Sequence, residues 1–395
     1  MTAPPGDLGG ATIAVVNWRD PWHPRAGGAE RYAWEMARGL VARGAAVLFL
    51  TARAPAQARA GRRDGIEIVR LGGRFTVYPL VLAWLLVRRL RRRRPFDAVL
   101  DCQNGIPFFT PCVLPRRVPV FCVVHHVHTS QFALHLPGPL ARAGRLLEGP
   151  AARLAYRRHT CVAVSPSTVT AMRDRLRWRG TITIIANGAG APVPPPIPAP
   201  PEEAPAGEAH SGTGTLRLTW VGRLVAHKRP ELILPLAERL GPAAVIDVIG
   251  RGQEEASLAA AVARRGLAGR VRLHGFLPDA DRDAIVARSA LHLNTSQGEG
   301  WGLCVLEAAA LGVPTVAFDV EGLRDAVRDG ETGWLVREGE LIEDVTARAL
   351  KELADPARRA EVAAACRDWA GRFSWDRSAG QFAGLIRAAM DRRAP

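Results

Sequence analysis

The chain has 395 residues, of which 48% are apolar and 23% charged, so it is long enough for two globular domains with complete cores. No run of 18 apolar residues occurs, and the first ten residues lack the basic and apolar regions of a secretory signal, so neither a spanning helix nor a signal peptide is expected. The six cysteines form no Cys-x-x-Cys pair, which is typical of reduced thiols and of a cytoplasmic protein.

The net charge of +15 is concentrated in the first half of the chain. Residues 1–188 carry 28 arginines, no lysine and 10 acids, a net charge of +18, whereas the remainder carries 25 basic and 28 acidic residues. Such asymmetry indicates an anionic partner for the first half. Nucleic acid is not expected, because aromatic residues make up only 6% and no nucleic-acid-binding signature occurs.

Short apolar runs alternate with helical patterns along the first half. Between the first two runs, apolar residues recur at helical spacing on one face, from Ala33 to Val41. This alternation predicts a parallel sheet with helices on both faces. The predicted strands are 11–17, 45–51, 65–70, 96–101, 119–124, 160–165 and 181–187.

A stretch rich in Pro, Ala, Gly and Glu follows at 188–214 and predicts an extended linker. The strand–helix alternation then resumes, so we predict doubly wound domains at 1–188 and 215–373, joined by a linker at 189–214. Ligands of such sheets bind beyond the carboxyl ends of the strands, and the cleft between two facing domains is the default site. The second set of predicted strands is 216–222, 243–250, 270–276, 291–296 and 314–320.

The segment "GEGWGLCVLEAAALGVP" holds two acids eight residues apart, Glu299 and Glu307. Its glycines keep Glu299 in a loop, and the apolar pattern predicts a helix from Leu303 with Glu307 about one turn inside. The backbone N–H groups near Gly302 and Leu303 would then form an open helix N-terminus, which suits an anion. A ligand with hydroxyls at both ends and phosphates between them, such as a nucleotide sugar, fits this layout.

Two cations follow the strand at 218–221, in the loop that leads to Pro230 and the next helix. Arg223 and Lys228 suit a diphosphate there, although an exposed pair of this kind is often only solvated surface. Lys228 is one of two lysines against 51 arginines. A lysine retained against such a bias suggests a requirement for its compact, rotatable charge.

Two further segments follow predicted strands in the first half. Gly27 and Gly28 precede the first helix, where glycine lets a backbone approach a phosphate, although such a pair is often structural. His125, His126 and His128 follow an apolar strand and raise the question of a metal site. No Cys or carboxylate cluster accompanies them, so we expect no metal; a hydrogen bond to a sugar or a role in proton movement is the alternative.

Three short motifs have simpler explanations. Asn-Gly pairs at Asn104 and Asn187 follow strands, and turn chemistry accounts for both. The Asp-Arg-Asp sequence at 281–283 is similar to the Asp-x-Asp motif with which some enzymes bind a cation. It precedes an apolar helix pattern, and acids at a helix start need no metal to explain them.

Together these motifs resemble those of the retaining family 4 glycosyltransferases, and the resemblance is strongest over residues 216–336. The family's E-x7-E signature is matched by Glu299 and Glu307, and its R…K pair by Arg223 and Lys228. Its N-terminal "GGAE" loop begins at Gly27. The resemblance implies the GT-B fold, an α/β arrangement of two Rossmann-like doubly wound parallel-sheet domains that face each other across a cleft, with a C-terminal helix at 374–395 that packs back toward the N-terminal domain.

The resemblance also implies roles for individual residues. The C-terminal domain would bind the nucleotide sugar and the N-terminal domain the acceptor, with Glu307 on the ribose hydroxyls and Glu299 on the sugar hydroxyls. Arg223, Lys228 and the amides near Gly302 would neutralise the departing diphosphate, with no metal or cofactor. The implied catalytic residues are His125, Glu299, Arg223 and Lys228. The implied donor site contains Arg223 and Lys228 together with Gly27, Gly28, Gly300, Trp301, Gly302, Leu303 and Glu307. The acceptor-side candidates are Asn104, His126 and His128, and either of these two histidines could take the role of His125.

We therefore expect a retaining enzyme that moves a hexose from a UDP- or GDP-sugar to an acceptor in natural-product or cell-envelope glycoside assembly. Leaving-group-assisted attack on the same face is the favoured route, since no covalent nucleophile is evident. A sugar phosphorylase would need a lysine for pyridoxal phosphate, and only Lys228 and Lys351 exist. Two more candidates are a nucleotide-sugar epimerase and a non-catalytic basic protein that binds nucleic acid or membrane.

The stretch 74–96 joins an apolar run, Val77 to Val87, to six arginines. Eleven apolar residues are too few to span a bilayer. One interpretation is a buried helix with a charged end; the other is a helix at an anionic membrane, with Trp84 at the interface and the arginines on headgroups. The second predicts peripheral contact with acidic lipid, or an acceptor that is itself anionic or lipid-linked rather than a neutral small molecule.

Overall fold

The computed structural model describes residues 7–91, 96–129, 132, 137–190 and 215–392. The chain forms two compact units, one of residues 1–188 with 375–395 and the other of residues 189–374. Apart from Ala189 and Gly190, the predicted linker at 189–214 lies outside the described residues. Within the described residues, no helix has the length and apolar character needed to cross a membrane.

The first unit is built on an eight-stranded sheet with the order β3-β4-β2-β1-β5-β6-β7-β8. The central strands are buried on both faces, as expected for a parallel sheet covered by helices. The strands are β1 (Thr12–Val16), β2 (Ala46–Thr51), β3 (Ala60–Arg63), β4 (Ile66–Arg70), β5 (Ala98–Gln103), β6 (Val120–Val124), β7 (Thr160–Ala163) and β8 (Ile182–Ile184).

The edge strand β3 departs from the predicted, purely parallel sheet, because it pairs with β4 in the antiparallel direction. Its four residues, Ala-Gly-Arg-Arg, are all exposed and carry no apolar alternation, so the pattern holds no strand signal. The two strands are joined through Asp64 and Gly65, both at positive φ (50° and 77°). These are the angles of the tight hairpin turn that an Asp-Gly pair favours.

Helices cover the sheet of the first unit. Helix α1 buries four of the five residues of the predicted face, Ala33, Met36, Ala37 and Leu40, at 1% exposure or less, while Val41 is half-buried. The helices are α1 (Gly28–Ala42), α2 (Val77–Arg91), α3 (Gly138–Leu146), α4 (Ala152–Tyr156) and α5 (Pro166–Asp174), with a 3₁₀ turn at Thr110–Cys112 and a π-helical turn at Leu147–Ala151.

The second unit has a six-stranded parallel sheet with the order β11-β10-β9-β12-β13-β14. In this doubly wound order, β10 and β11 are added on one side of the first strand, β9, and β12 to β14 are added on its other side. The strand order therefore reverses between β9 and β12. The strands are β9 (Leu216–Val221), β10 (Ala244–Ile249), β11 (Val271–Gly275), β12 (Leu291–Asn294), β13 (Thr315–Phe318) and β14 (Gly333–Val336).

Strand β14 was not among the predicted strands. It has only four residues and begins with Gly333, a residue that weakens a strand signal. The structure explains the glycine, since a Cβ atom there would lie 2.1 Å from the Thr315 carbonyl oxygen of β13. The glycine therefore allows the close approach of the two backbones.

The helices of the second unit are α6 (Ile233–Leu240), α7 (Glu255–Arg264), α8 (Asp279–Val286), α9 (Leu303–Ala310), α10 (Leu323–Ala326), α11 (Ile342–Glu352) and α12 (Pro356–Gly371), with 3₁₀ turns at Ala226–Lys228 and Pro230–Leu232. The last helix, α13 (Trp375–Asp391), belongs to the first unit. There the Ser378 hydroxyl donates to the Ala186 carbonyl (2.7 Å), and the Phe382 ring packs on Phe121 (5.7 Å between centroids).

Candidate active site

The reversal point of the second sheet brings two loops together. Strands β9 and β12 are neighbours, so the loops that leave their carboxyl ends lie side by side. Lys228 from the first loop pairs with the carboxylate of Glu299 from the second, and the two side chains are 15% and 16% exposed. The Ser296 hydroxyl donates to the same carboxylate over 2.7 Å. The fold thus joins one predicted cation to one predicted acid.

The surroundings of Glu299 keep it ionised. Burial by itself would raise the pKa of this carboxyl. The Lys228 charge and the hydrogen bonds from Lys228 and Ser296 outweigh burial and leave the pKa of Glu299 below its ordinary value. The site therefore presents a fixed carboxylate, able to accept hydrogen bonds from hydroxyls, at neutral pH.

Hydrogen bonds fix the position of Lys228. The Trp220 indole donates to the Thr295 hydroxyl (2.8 Å), and this hydroxyl donates to the Lys228 carbonyl (2.6 Å). The Arg229 guanidinium donates to the Thr295 carbonyl (2.8 Å). The backbone that carries the lysine is therefore tied to the β12 loop at several points.

Helix α9 begins next to the Glu299 loop. Gly302 caps it at a φ of 92°, which favours glycine, and leaves the first N–H groups of the helix at the loop. Glu307 lies about one turn inside, as the sequence predicted. A loop acid, a helix start and a helical acid therefore stand in the predicted order along the chain.

Glu307 has a cationic neighbour that the sequence reading missed. Arg282, on α8, lies 3.7 Å from the Glu307 carboxylate, and the two side chains are 14% and 13% exposed. Arg282 also contacts Asp279 (3.0 Å) and Asp283 (2.7 Å). Burial would lower the pKa of Arg282, but Glu307 and the two aspartates raise it above its ordinary value. Each acid of the E-x7-E pattern thus has its own cation.

The Asp-Arg-Asp sequence lies inside α8 rather than before a helix, and its arginine, not its aspartates, faces Glu307. The only sequence signal for this role was an arginine flanked by acids, and such a pattern is usually a solvated helix surface. Among the described residues, no group of three or more His, Cys, Asp and Glu side chains is placed to hold a metal.

Arg223, Gly300 and Trp301 occupy different environments. Arg223 is exposed in the loop that carries Lys228. That loop packs tightly on the β10 loop, where a Cβ atom at Gly250 would lie 1.8 Å from the Gly222 carbonyl oxygen. Gly300 stays in the loop beside Glu299, but the Trp301 side chain is only 4% exposed and packs edge-on against Phe373, 5.0 Å between centroids. Only the backbone of Trp301 is left to meet a donor.

The first unit has its own reversal point, between β1 and β5. There the Asn104 amide donates to the Asn17 side-chain oxygen (2.7 Å), and the Asn17 amide donates to the Arg19 carbonyl (2.8 Å). The Gly27 N–H donates to the Glu30 carboxylate (2.8 Å), and α1 begins at Gly28. Asn17 was not singled out from the sequence, because nothing distinguishes one asparagine at a strand end from a turn residue.

The three histidines follow β6 and differ in burial. His125 is 7% exposed, and its ring meets Tyr32 edge-on at 5.0 Å between centroids. Burial, with a smaller effect of the nearby His128, lowers the pKa of His125 to about 3, so the ring is neutral at physiological pH. Its Nε2 atom is buried and has no hydrogen-bond partner among the described residues.

His126 and His128 lie further along the loop, with ring centroids 5.3 Å apart. The His128 N–H donates to the carboxylate of Glu148 (2.6 Å), and the Thr129 hydroxyl donates to the other oxygen of the same carboxylate (3.2 Å). Glu148 is fully buried in the π-helical turn, a distortion that often accompanies functional sites. This acid, which the sequence reading missed, anchors the histidine loop.

Two doubly wound units with polar side chains at both reversal points define the chain as a protein of the GT-B fold. Residues 209–369 match the model described as Glycosyl transferases group 1, and residues 26–189 match the model described as Glycosyltransferase Family 4. The chain belongs to these glycosyltransferases.

A relative agrees with this membership, and two solved structures share the fold. The chain is 37% identical over 175 residues to the D-inositol 3-phosphate glycosyltransferase of Rhodococcus opacus, a match that covers 41% of this chain and 38% of the relative, less than half of either. Sucrose-phosphate synthase from Thermosynechococcus elongatus has a TM-score of 0.77 at 17% identity, over 97% of this chain and 100% of that one. Anabaena HepE, solved with UDP and glucose, has a TM-score of 0.68 at 17% identity, over 96% and 100%.

Proposed function

We propose that the chain is a retaining glycosyltransferase that transfers a hexose from a UDP- or GDP-linked donor. The observation that carries the proposal is the Lys228–Glu299 pair beside the start of α9, with Glu307 one turn inside the helix and Arg282 against it. Along the chain, the proposed sites for the sugar hydroxyls (Glu299), the diphosphate (the start of α9) and the ribose (Glu307) follow the order of these groups in a nucleotide sugar. The structure of a neighbour with UDP and glucose supports this class of donor.

The donor would lie along this order of groups. Its diphosphate would meet the N–H groups at the α9 start and the Lys228 ammonium, with exposed Arg223 able to reach the same charge. Glu307 would accept hydrogen bonds from the ribose hydroxyls and Glu299 from the hydroxyls of the transferred sugar. Each acid has a cationic neighbour, Lys228 for Glu299 and Arg282 for Glu307.

The step that needs most stabilisation is the departure of the diphosphate. Negative charge grows on the diphosphate oxygen as the glycosidic bond breaks, and a cation already fixed near that oxygen lowers the barrier. The acceptor hydroxyl attacks the face from which the diphosphate leaves and gives its proton to a diphosphate oxygen, so the anomeric configuration is retained. We propose that this chemistry needs neither metal nor cofactor.

The first unit would supply the acceptor side. Neutral His125 can donate or accept one hydrogen bond at a sugar hydroxyl, and Asn104, His126 and His128 stand near the same sheet edge. The acceptor we propose is a small molecule or a lipid-linked one, in natural-product or cell-envelope glycoside assembly. The name of the relative, an inositol-phosphate glycosyltransferase, supports an acceptor that carries a phosphate.

The test is turnover of UDP- and GDP-hexoses by the purified chain in EDTA, with inositol 3-phosphate as the acceptor probe and the glycoside product examined by NMR for its anomeric configuration. We expect release of the nucleoside diphosphate and an unchanged anomeric configuration. A Glu299→Gln variant, which keeps the shape but not the charge, should be nearly inactive. Inversion of the anomeric carbon, or a requirement for Mg²⁺ or Mn²⁺, would contradict the proposed mechanism.

A second property, peripheral contact with an anionic membrane, is proposed from helix α2. Its Val77, Val81 and Leu85 are buried, which agrees with a core helix, but large apolar side chains also cover its outer surface. Arg89 and Arg91 are exposed at its end, and residues 92–94 lie outside the described residues. An apolar face beside arginines is complementary to acidic lipid. The exposed residues on the helix are Leu80 (44%), Leu86 (39%), Val87 (46%) and Leu90 (77%), and Phe75 (63%) lies two residues before it.

A further inference from the structure

An arginine-lined cavity lies in the first unit where β7 and β8 begin. It has a volume of about 550 Å³. Among the described residues that line it, none is acidic. This arginine cavity is lined by Arg153, Arg157, Arg177, Trp178, Arg179 and Gly180.

Within the first unit, the arginine cavity lies at the opposite end of the sheet from the proposed acceptor residues. Arg157 comes three residues before β7 and Arg179 three residues before β8, and the two strands pair in parallel. The amino-terminal ends of parallel strands lie at one end of the sheet. Asn104 and His125 follow the carboxyl ends of β5 and β6 and so lie at the opposite end of the sheet. The arginine cavity therefore has no part in the acceptor contacts proposed above.

The walls of the arginine cavity are fixed by hydrogen bonds. Arg153 donates to the Leu176 carbonyl (2.7 Å), and Arg173, from α5, donates to the Trp178 carbonyl (2.6 Å). The Trp178 N–H donates to the Met172 carbonyl (3.0 Å), and its side chain is 3% exposed. The loop between α5 and β8 is thus tied to the helix on both sides of the tryptophan.

Two backbone features hold the arginines around Trp178. Arg177 has a φ of 51°, in the left-handed region that costs energy for a residue with a side chain. Gly180 allows the loop to pass close to the indole, because a Cβ atom there would lie 3.1 Å from the Trp178 Nε1 atom. Arg177 and Arg179 consequently flank a buried tryptophan and keep exposed guanidinium groups beside it.

The sequence that forms the arginine cavity is strongly basic. Residues 152–180 contain seven arginines and a single acid, Asp174. Like charges around one cavity repel each other, and an anion with several negative oxygens removes that repulsion. Guanidinium groups bind carboxylate and phosphate oxygens in pairs of parallel hydrogen bonds, and a phosphoryl group, with three acceptor oxygens and a larger charge, can bind several arginines at once.

We infer that the arginine cavity binds a ligand through its phosphoryl groups, independently of the donor site. Its volume is that of a small-molecule site. Phosphoryl groups reach a protein either on a soluble molecule or on the headgroup of an acidic phospholipid. Both sources present the same oxygens, and the two arms of the test separate them.

The test compares two charge-matched variants of the full chain. Arg157→Glu/Arg179→Glu reverses two exposed arginines of the cavity, and Arg59→Glu/Arg62→Glu reverses two exposed arginines of the first unit at the edge strand β3, Arg59 just before it and Arg62 within it. Both variants carry Lys228→Ala, which removes a diphosphate contact of the proposed donor site. One arm titrates inorganic pyrophosphate by calorimetry, and the other sediments the protein with vesicles of phosphatidylglycerol or of phosphatidylcholine alone.

We expect the cavity variant to bind one of the two probes about tenfold more weakly or worse, while the control variant binds like its parent. Loss of pyrophosphate binding assigns a soluble phosphorylated ligand, and loss of phosphatidylglycerol binding assigns a lipid headgroup. The milder Arg157→Gln/Arg179→Gln variant should show a smaller loss of the same kind. Equal effects in the cavity and control variants, or no binding of either probe by the parent, would overturn the inference.

Discussion

Glu299 and Glu307 differ in how each is held, although the sequence presents them as a matched pair. Glu299 accepts bonds from a lysine of the neighbouring loop and a serine of its own loop, whereas Glu307 faces an arginine that two aspartates also hold. Loss of Lys228 should therefore act on the reacting sugar and diphosphate, and loss of Arg282 on the nucleoside end of the donor.

Replacement of Lys228 by Ala should lower kcat about 100-fold, with a smaller rise in KM for the donor, because the ammonium counters charge that grows only as the bond breaks. Lys228→Arg should also be impaired, because a planar fork cannot take the place of a compact charge. Steady-state kinetics with varied donor measures both. Wild-type rates in the Arg variant would show that the lysine is incidental.

The pH profile of Lys228→Ala should move in a defined direction. Lys228 holds the pKa of Glu299 below its ordinary value, so the wild-type carboxylate stays ionised down to low pH. Without the lysine, burial raises the pKa of Glu299, and the acid limb of the activity profile should shift to higher pH. An acid limb at the same pH in both proteins would mean that the Glu299 carboxylate does not control the rate.

Replacement of Arg282 by Leu should leave Glu307 without its cation and raise KM for the donor about fivefold, from a loss of ~1 kcal/mol, with kcat little changed. Arg288→Leu, two residues beyond the end of the same helix and exposed, is the control and should behave like the wild type. If both variants have the wild-type KM, Arg282 is not a positioning residue for Glu307.

At the scale of loops and helices, close backbone contacts shape the site. Gly322 has a φ of 79°, and a Cβ atom there would lie 2.3 Å from the Glu299 carbonyl oxygen. The Glu299 N–H also donates to the Glu321 carbonyl (2.9 Å). The turn before α10 therefore supports the loop that carries the proposed catalytic acid.

Gly322→Ala should destabilise the chain and lower its activity, because the added methyl group pushes against the Glu299 loop. Gly330→Ala is a matched control, since Gly330 has a φ of 75° and nothing lies within 4 Å of the new Cβ position. Both variants lose about 1 kcal/mol from the backbone conformation, and the clash at Gly322 should add about 1–3 kcal/mol. Thermal unfolding and donor turnover measure the difference, and equal losses would argue against a contact role for Gly322.

Elements with strong periodicity could be predicted from the sequence. The strands buried on both faces and the apolar face of α1 were found, and so was the start of α9, because Gly and apolar residues stand at its limits. Strands β3 and β14 were missed, since four residues without alternation carry too little signal. Arg282 and Glu148 were missed for another reason: each reaches its partner through the tertiary fold, from a helical pattern that looks ordinary.

At the scale of the whole molecule, exposed arginines of the first half cluster at two places in the described structure. One is the end of α2, beside exposed apolar side chains, and the other is the arginine cavity at the amino edge of the sheet. Both belong to the first unit, which agrees with the charge asymmetry of +18 in residues 1–188. The second unit has a net charge close to zero, and the positive charge of the proposed donor site comes from individual residues such as Lys228 and Arg282.

Leu86→Glu/Leu90→Glu, on the outer face of α2, should abolish sedimentation with phosphatidylglycerol vesicles, because two acids replace apolar contacts next to the arginines. Leu140→Glu/Leu146→Glu, at 56% and 58% exposure on α3, is the matched control and should sediment like the wild type. Binding by the wild type should weaken as salt is raised. Equal sedimentation of the two variants would remove α2 from the membrane contact.

The most direct test of the proposed donor site is calorimetric titration of UDP- and GDP-hexoses into the wild type and into Glu307→Ala, both in EDTA. Glu307 is proposed to hold the ribose, so the wild type should bind one donor per chain and Glu307→Ala should bind it about tenfold more weakly or worse. Equal donor affinity in the two proteins, or no donor binding by the wild type, would contradict the assignment of the second unit as the nucleotide-sugar site.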